Sequence, residues 1–396
     1  MAFFSLGLLS LSAPAQESQE KPKLKHFGSS LDRLRWDKEK QVAVEKTSPV
    51  RTRGDTEDVI RIETQLIAAD VMVVDKQGRA VTGLTKDDFV ITEDGQPQPI
   101  GHFSVGSDLS VPKSLVLIID YSPSEIPYIA KSVTAAKALV DQLGPKDRMA
   151  IVTDDVELLV GFTGDKKKLK GALGSLIGRI RSGLSGKSEQ FAALMAVARE
   201  LFNNEDIRPI IIFQTDGDEL GFLQPPNENG RALKQRIKPF SLSDILFALD
   251  KSRATVYTVI PNIRLIGVPP DELPGRTQEI IDRGFPVFFG SSMRARGYSQ
   301  MELLRFAEES FLPQQQAAAK VATSTGGWTA FLELPEQADE IYARIMADVN
   351  SRYVVGYYYP AGKPRDGKRH QFSITVKGHP EYQIAGRKSY VALDPN

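Results

Sequence analysis

Asp120-Tyr121-Ser122-Pro123-Ser124 follows directly on the apolar run Leu115–Ile119. A buried strand that ends in D-x-S-x-S delivers one carboxylate and two hydroxyls to a small volume at a sheet edge. Such hard oxygen donors suit Mg2+ first, with Mn2+ or Ca2+ as substitutes, rather than a soft metal. A second carboxylate stands in the same context, because the apolar run Ile210–Phe213 leads into Thr215-Asp216-Gly217. If both strands are central and parallel, Asp120 and Asp216 face each other over one sheet edge. The segment Gly183–Ser188 precedes a helical stretch and offers Ser188 with that helix's N-terminal dipole behind it.

Blander roles exist for each of these residues. Asp120 and Ser122 suit a helix cap, and Ser188 suits the cap of its own helix, with Glu189 and Gln190 in the first turn. Asp218 and Glu219 read more simply as solvent-facing loop acids than as groups that tune the site. Two other chemistries fail on the residues. Arg181–Ser188 nearly spells a phosphate-binding loop, but Arg181 stands where the first glycine belongs and a helical pattern precedes it instead of a strand. A phosphoryl-accepting aspartate usually belongs to a D-x-D pair, and position 122 is serine.

The elements that must position these residues emerge from period and punctuation. Leu115–Ile119 and Ile210–Phe213 are near-continuous apolar runs, as parallel strands covered on both faces require. Met149–Thr153, Val156–Val160, Thr255–Ile260 and Trp328–Phe331 read as further strands. Between them lie helical stretches, about 125–143, 169–180, 188–202, 245–249, 300–322 and 338–349, with a break expected at Pro313. This alternation predicts an α/β fold: a three-layer, doubly wound, mostly parallel sheet over residues 111–350, with its site at the strand C-termini. Residues 261–298 are rich in Pro and Gly without clear period and read as an inserted lid or binding loop.

Both flanks are β in texture. Alternation from Val59 to Leu66, then Ala69–Val74, Phe89–Thr92 and Ile100–Val105, marks an N-terminal β segment over 58–110. Tyr353–Tyr359, Gln371–Val376, Tyr382–Ile384 and Ser389–Ala392 mark a C-terminal one over 351–396. Neither is large enough to stand alone, so the two are expected to combine into one sandwich. Residues 16–57 are polar and charged and read as a flexible or loosely docked arm.

Composition narrows the functional classes. Fifty basic and fifty acidic residues among 396 cancel, so no global field points to nucleic acid or to an anionic membrane. Cysteine is absent, which removes thiol catalysis, thiolate zinc sites and disulfides. The four histidines form no H-x-x-x-H pair. Phe3–Leu11 followed by Ala13-Pro14-Ala15 reads as a signal peptide cut after Ala15, although no Lys or Arg precedes the apolar core. Export to the periplasm, the cell envelope or the medium is expected, and no run is long enough to span a bilayer.

Taken together, Asp120, Ser122, Ser124 and Asp216 resemble the metal-ion-dependent adhesion site of von Willebrand factor type A domains, D-x-S-x-S … T … D. The family's middle threonine falls on Ser188, which keeps the hydroxyl without the branched methyl. Asp88–Gly95, Thr325-Gly326-Gly327, Arg352–Tyr359 and Arg387–Val391 resemble the acidobacterial von Willebrand-related subgroup, over about 59–392. The resemblance implies a divalent cation held by the hydroxyls of Ser122, Ser124 and Ser188, with Asp120 and Asp216 largely behind them or bridged by water. Neutral ligands leave charge on the ion, so it further implies a protein partner whose Asp or Glu carboxylate completes the coordination. An exported, non-enzymatic adhesion or interaction module is therefore expected. The competing classes are a metal-dependent hydrolase or phosphotransferase and a structural envelope protein with a vestigial site.

Overall fold

The computed structural model of the chain describes residues 26–37, 39–46, 66–108, 111–202, 208–219, 222, 238–284, 297–359 and 366–392. The signal peptide expected at 1–15 and the alternating stretch before Leu66 lie outside these residues. The chain opens with α1 (Ser29–Asp32), β1 (Leu34–Asp37) and β2 (Val42–Glu45), then β3 (Leu66–Val74), β4 (Phe89–Glu93), β5 (Gln96–Gln98) and β6 (His102–Val105). Next come β7 (Lys113–Ile119), α2 (Ile126–Asp141), β8 (Arg148–Thr153), β9 (Leu158–Thr163), α3 (Lys166–Arg181), α4 (Gln190–Glu200) and β10 (Arg208–Gln214). The second half holds α5 (Leu242–Ser252), β11 (Thr255–Ile260), α6 (Leu273–Gly284), α7 (Gln300–Phe306), α8 (Leu312–Ser324) and β12 (Thr329–Phe331). It ends with α9 (Ala338–Ser351), β13 (Tyr353–Tyr358), β14 (Arg369–Val376), β15 (Gln383–Ala385) and β16 (Ser389–Val391).

The central sheet has the order β12-β11-β10-β7-β8-β9, parallel except for the edge strand β9. Its middle strands β7 and β10 are buried along their whole length, which is why their sequences are apolar without alternation. Period two still sorts the side chains. Leu115, Leu117 and Ile119 face α2, α3 and α9, while Val116 and Ile118 face α4, α5 and α8. The three-layer, doubly wound architecture is thus present. The chain leaves β7 toward β8 on one side and later places β10 on the other, so the β7–β10 gap is the topological switch point where such sheets bind ligands.

The two flanks do combine. Antiparallel sheets β15-β3-β13-β6 and β16-β14-β4-β5 enclose one core, with Ile67, Ala69, Val71 and Val73 alternating inward from β3 and Phe372, Ile374 and Val376 from β14. Asp94 and Gly95, both at positive φ, make the tight β4–β5 turn. The Thr325-Gly326-Gly327 motif is a packing device. A Cβ on Gly327 would sit 1.9 Å from the Val256 carbonyl oxygen, and one on Gly326 2.5 Å from Gly386.

Three stretches differ from the sequence expectation. Within the expected flexible or loosely docked arm, residues 26–37 and 39–46 form short elements held to the sheet domain: the Gly28 and Ser30 amides donate to Glu200 at 2.9 and 2.8 Å, and Leu34 enters the core. Within 261–298, α6 places Leu273, Thr277, Ile280 and Ile281 at helical spacing and packs with Leu304, Phe311 and Leu312. Residues 285–296 lie outside the described ones. Finally, the break expected at Pro313 is a π-turn at Ala307–Phe311, one turn earlier, where the proline's missing N–H and ring act on the preceding carbonyls.

Candidate metal centre

Register alone brings the two strand-end acids together. β7 and β10 pair in parallel from Lys113 with Arg208 to Ile119 with Gln214, so both chains leave the sheet at one level. The Asp120 amide then donates to the Gln214 carbonyl at 3.1 Å. Asp120 is fully buried. Its Oδ1 accepts the Ser122 amide at 2.9 Å, and its Oδ2 accepts Gln190 Nε2 at 2.6 Å and Thr215 Oγ1 at 3.3 Å. The hydroxyls of Ser122 and Ser124 lie 3.1 Å apart. Asp120, Asp216 and Asp218 each offer a carboxylate oxygen within 4.8 Å of the others.

Asp120, Ser122, Ser124 and Asp216 therefore lie together at one edge of the sheet. Ser188 joins through its backbone: at φ 56° it donates its amide to Asp154 Oδ2 at 2.8 Å. The residue capping α4 is Glu189. Asp154 also accepts the Tyr121 amide at 3.1 Å, so it ties the D-x-S-x-S segment to the Gly183–Ser188 loop. Gly186 closes the same junction, donating its amide to the Tyr121 carbonyl at 3.2 Å.

Sequence reasoning passed over several participants. Asp154 follows the parallel strand β8 and carries the same strand-end signal as Asp120 and Asp216. Gln190 gave no signal beyond being a polar residue that opens a helix apolar as far as Ala198; its Nε2 also donates to Asp218 at 2.8 Å. Asp218 and Glu219 are not solvent-facing loop acids. Glu219 is buried and accepts the amides of Phe191 at 2.5 Å and Ala192 at 3.1 Å, because the first turn of α4 has orphan donors that need an acceptor. Lys238 pairs with it at 3.1 Å.

These acids disfavour their own ionisation. Burial, and then the charge of Asp218, push Asp120 up to about 6. Burial, and then Asp120, push Asp154 up to about 8. Asp216 lies well above the usual carboxylate range for the same reasons, burial first and then Asp218 and Asp120. Burial raises Glu219 to about 7 against the pull of Lys238. A hard divalent cation would supply the positive charge this cluster needs, and every donor in it is oxygen. Gln190 Oε1 and both carboxylate oxygens of Glu125 are buried without hydrogen-bond partners at the same place. The residues present thus fit a cation of the Mg2+, Mn2+ or Ca2+ kind.

No family profile matches the chain, and no curated protein matches it in sequence. Solved structures do match. The vWF domain of the type V pili tip protein Mfa5 from Porphyromonas gingivalis has a TM-score of 0.36 at 13% identity, covering 61% of this chain and 95% of that one. An aerotolerance-related membrane protein from Bacteroides fragilis has a TM-score of 0.35 at 15% identity, covering 61% and 98%. The manganese-loaded TRAP protein of Plasmodium vivax has a TM-score of 0.30 at 14% identity, covering 76% and 98%. The likeness is distant, and the architecture stands on the strand order of the chain itself.

Proposed function

We propose that this chain is a cation-dependent protein-binding module of von Willebrand type A kind. Ser122 and Ser124 hold a divalent cation, Mg2+ foremost, with Ser188 as the third hydroxyl from the loop before α4. Asp120 and Asp216 orient these groups and balance the charge. The ion acts as a Lewis acid toward a carboxylate from a partner protein, which fills the position the protein leaves open. One observation carries this: carboxylates and hydroxyls that follow two parallel strand ends converge at the sheet's switch point as an acidic cluster short of positive charge.

The rim supports a protein partner. Ile126, at the start of α2, is 43% exposed, and Leu184, in the Gly183–Ser188 loop, is 59% exposed. Exposed apolar side chains of this kind are what the centre of a protein interface buries. Export fits the apolar stretch Phe3–Leu11, and no helix among the described residues is long and apolar enough to cross a membrane. Binding rather than turnover is part of the proposal, and a turnover assay on generic ester and phosphate substrates separates the two.

The decisive experiment is Mg2+ and Mn2+ titration of the full chain by calorimetry, with Asp120→Ala as control, followed by capture from an envelope fraction with Mg2+ or with chelator. Cation binding is expected in the wild type and lost in the variant, with little change in the cation-free melting temperature. Partner capture should require the cation. Equal capture in chelator and in Mg2+ would overturn the proposal.

A further inference from the structure

Glu125 closes the D-x-S-x-S segment at the end of the turn Pro123–Glu125 and is 0% exposed. Neither of its carboxylate oxygens has a hydrogen-bond partner. A capping role does not account for it: Glu125 is the N-cap residue of α2, yet its side chain makes no cap bond. Tyr342 nearby is otherwise engaged, donating its hydroxyl to Gln214 Oε1 at 2.5 Å. What Glu125 faces is negative charge, from Asp216 most strongly, then Asp120, Asp218 and Asp154. A buried carboxylate with both oxygens unmet is strongly disfavoured unless something positive or donating reaches it.

We propose that Glu125 is an additional anionic member of the cation site, meeting a hard divalent cation from the buried side through cation-bound water. The proposal rests on the cation-site reading given above and extends it. Gln190 Oε1, also buried and unpartnered, adds a third unmet oxygen. Asp218 and Ser124 are half-buried, whereas Glu125, Asp120 and Asp216 are buried.

The test is Mn2+ titration of the full chain by electron paramagnetic resonance, alongside thermal melting with and without Mn2+. Wild type, Glu125→Gln, Glu125→Asp and Asp120→Ala are compared. Glu125→Gln keeps the shape and removes the charge. Its Kd for Mn2+ should rise by about tenfold or more while its cation-free melting temperature equals or exceeds that of the wild type. Glu125→Asp should fall between the two. If the wild type binds, Asp120→Ala does not, and Glu125→Gln stays within about twofold of the wild type, this proposal fails while the site reading survives. A wild type that binds no Mn2+ overturns both. Should Glu125→Gln not fold, Glu125→Asp decides: a Kd within about twofold of the wild type overturns the proposal, and a larger loss supports it.

Discussion

Gly186 has no room for a side chain. A Cβ there would stand 2.0 Å from both carboxylate oxygens of Asp154, and Asp154 cannot swing aside without losing the amides of Tyr121 and Ser188. Gly186→Ala should therefore push the Gly183–Ser188 loop away from the D-x-S-x-S segment and weaken Mn2+ binding by about tenfold, roughly 1.4 kcal/mol. Titration of the variant checks this, and unchanged affinity together with unchanged melting would show that the junction is slack. At this scale the sequence was informative where chemistry coincides with a strand end. Asp120 and Asp216 were legible for that reason, and Asp154 was available by the same rule. Gln190 and Glu125 were not legible, since what makes them part of the site is burial beside distant acids: Asp120, 70 positions away, for Gln190, and Asp216, in the loop after β10, for Glu125.

Among the elements, those with one dominant period were legible and those with mixed signals were not. β7 and β10 announce themselves as apolar runs, and α3 by its leucine spacing. α6 begins Leu273-Pro274-Gly275, which reads as a turn, although proline is tolerated in a helix's first turn and Leu273, Thr277 and Ile280 keep helical spacing behind it. β14 carries a device that sequence period does not reveal. His370 contacts Asp94 in the β4–β5 turn at 3.0 Å and Asp366 at 3.1 Å, and so clamps the turn to the strand's entry. Burial pulls its pKa down, but the two carboxylates outweigh burial and hold it above the ordinary 6.5. A base raised in the folded state stabilises fully below its unfolded pKa, and that contribution is lost as pH rises through the folded value. The melting temperature of the wild type relative to His370→Gln should accordingly be greatest near pH 6 and shrink toward pH 8. A difference that is flat, or that grows with pH, would show that the imidazolium is not the clamp.

Across the whole molecule, the sandwich is fastened to the sheet by buried arginines at the strand N-termini, and the cation site occupies the opposite edge. Arg208, at the start of β10, donates to Asp70 of β3 at 3.0 Å, to the Gly106 carbonyl at 3.1 Å and to the Val349 carbonyl at 2.7 Å. Arg352 bonds Asp348 at 2.8 Å and the Asp70 carbonyl at 3.2 Å. Arg387 bonds Asp250 and the carbonyls of Leu249 and Ala254 just before β11. Their joining of both chain ends to the sheet could not be seen from composition, where an arginine counts as surface. Replacing Arg208 with Met would leave a carboxylate and two carbonyls buried without their donor, a loss of about 3–5 kcal/mol. β10 is seven residues long, so Asp216 stands roughly 20 Å or more from that fastening at about 3.3 Å per residue. Urea unfolding of Arg208→Met should therefore show the full stability loss, while Mn2+ affinity, measured where the variant is still folded, stays within about twofold of the wild type. A parallel fall in affinity would mean that the sandwich shapes the site through the sheet, and that the two edges are not independent.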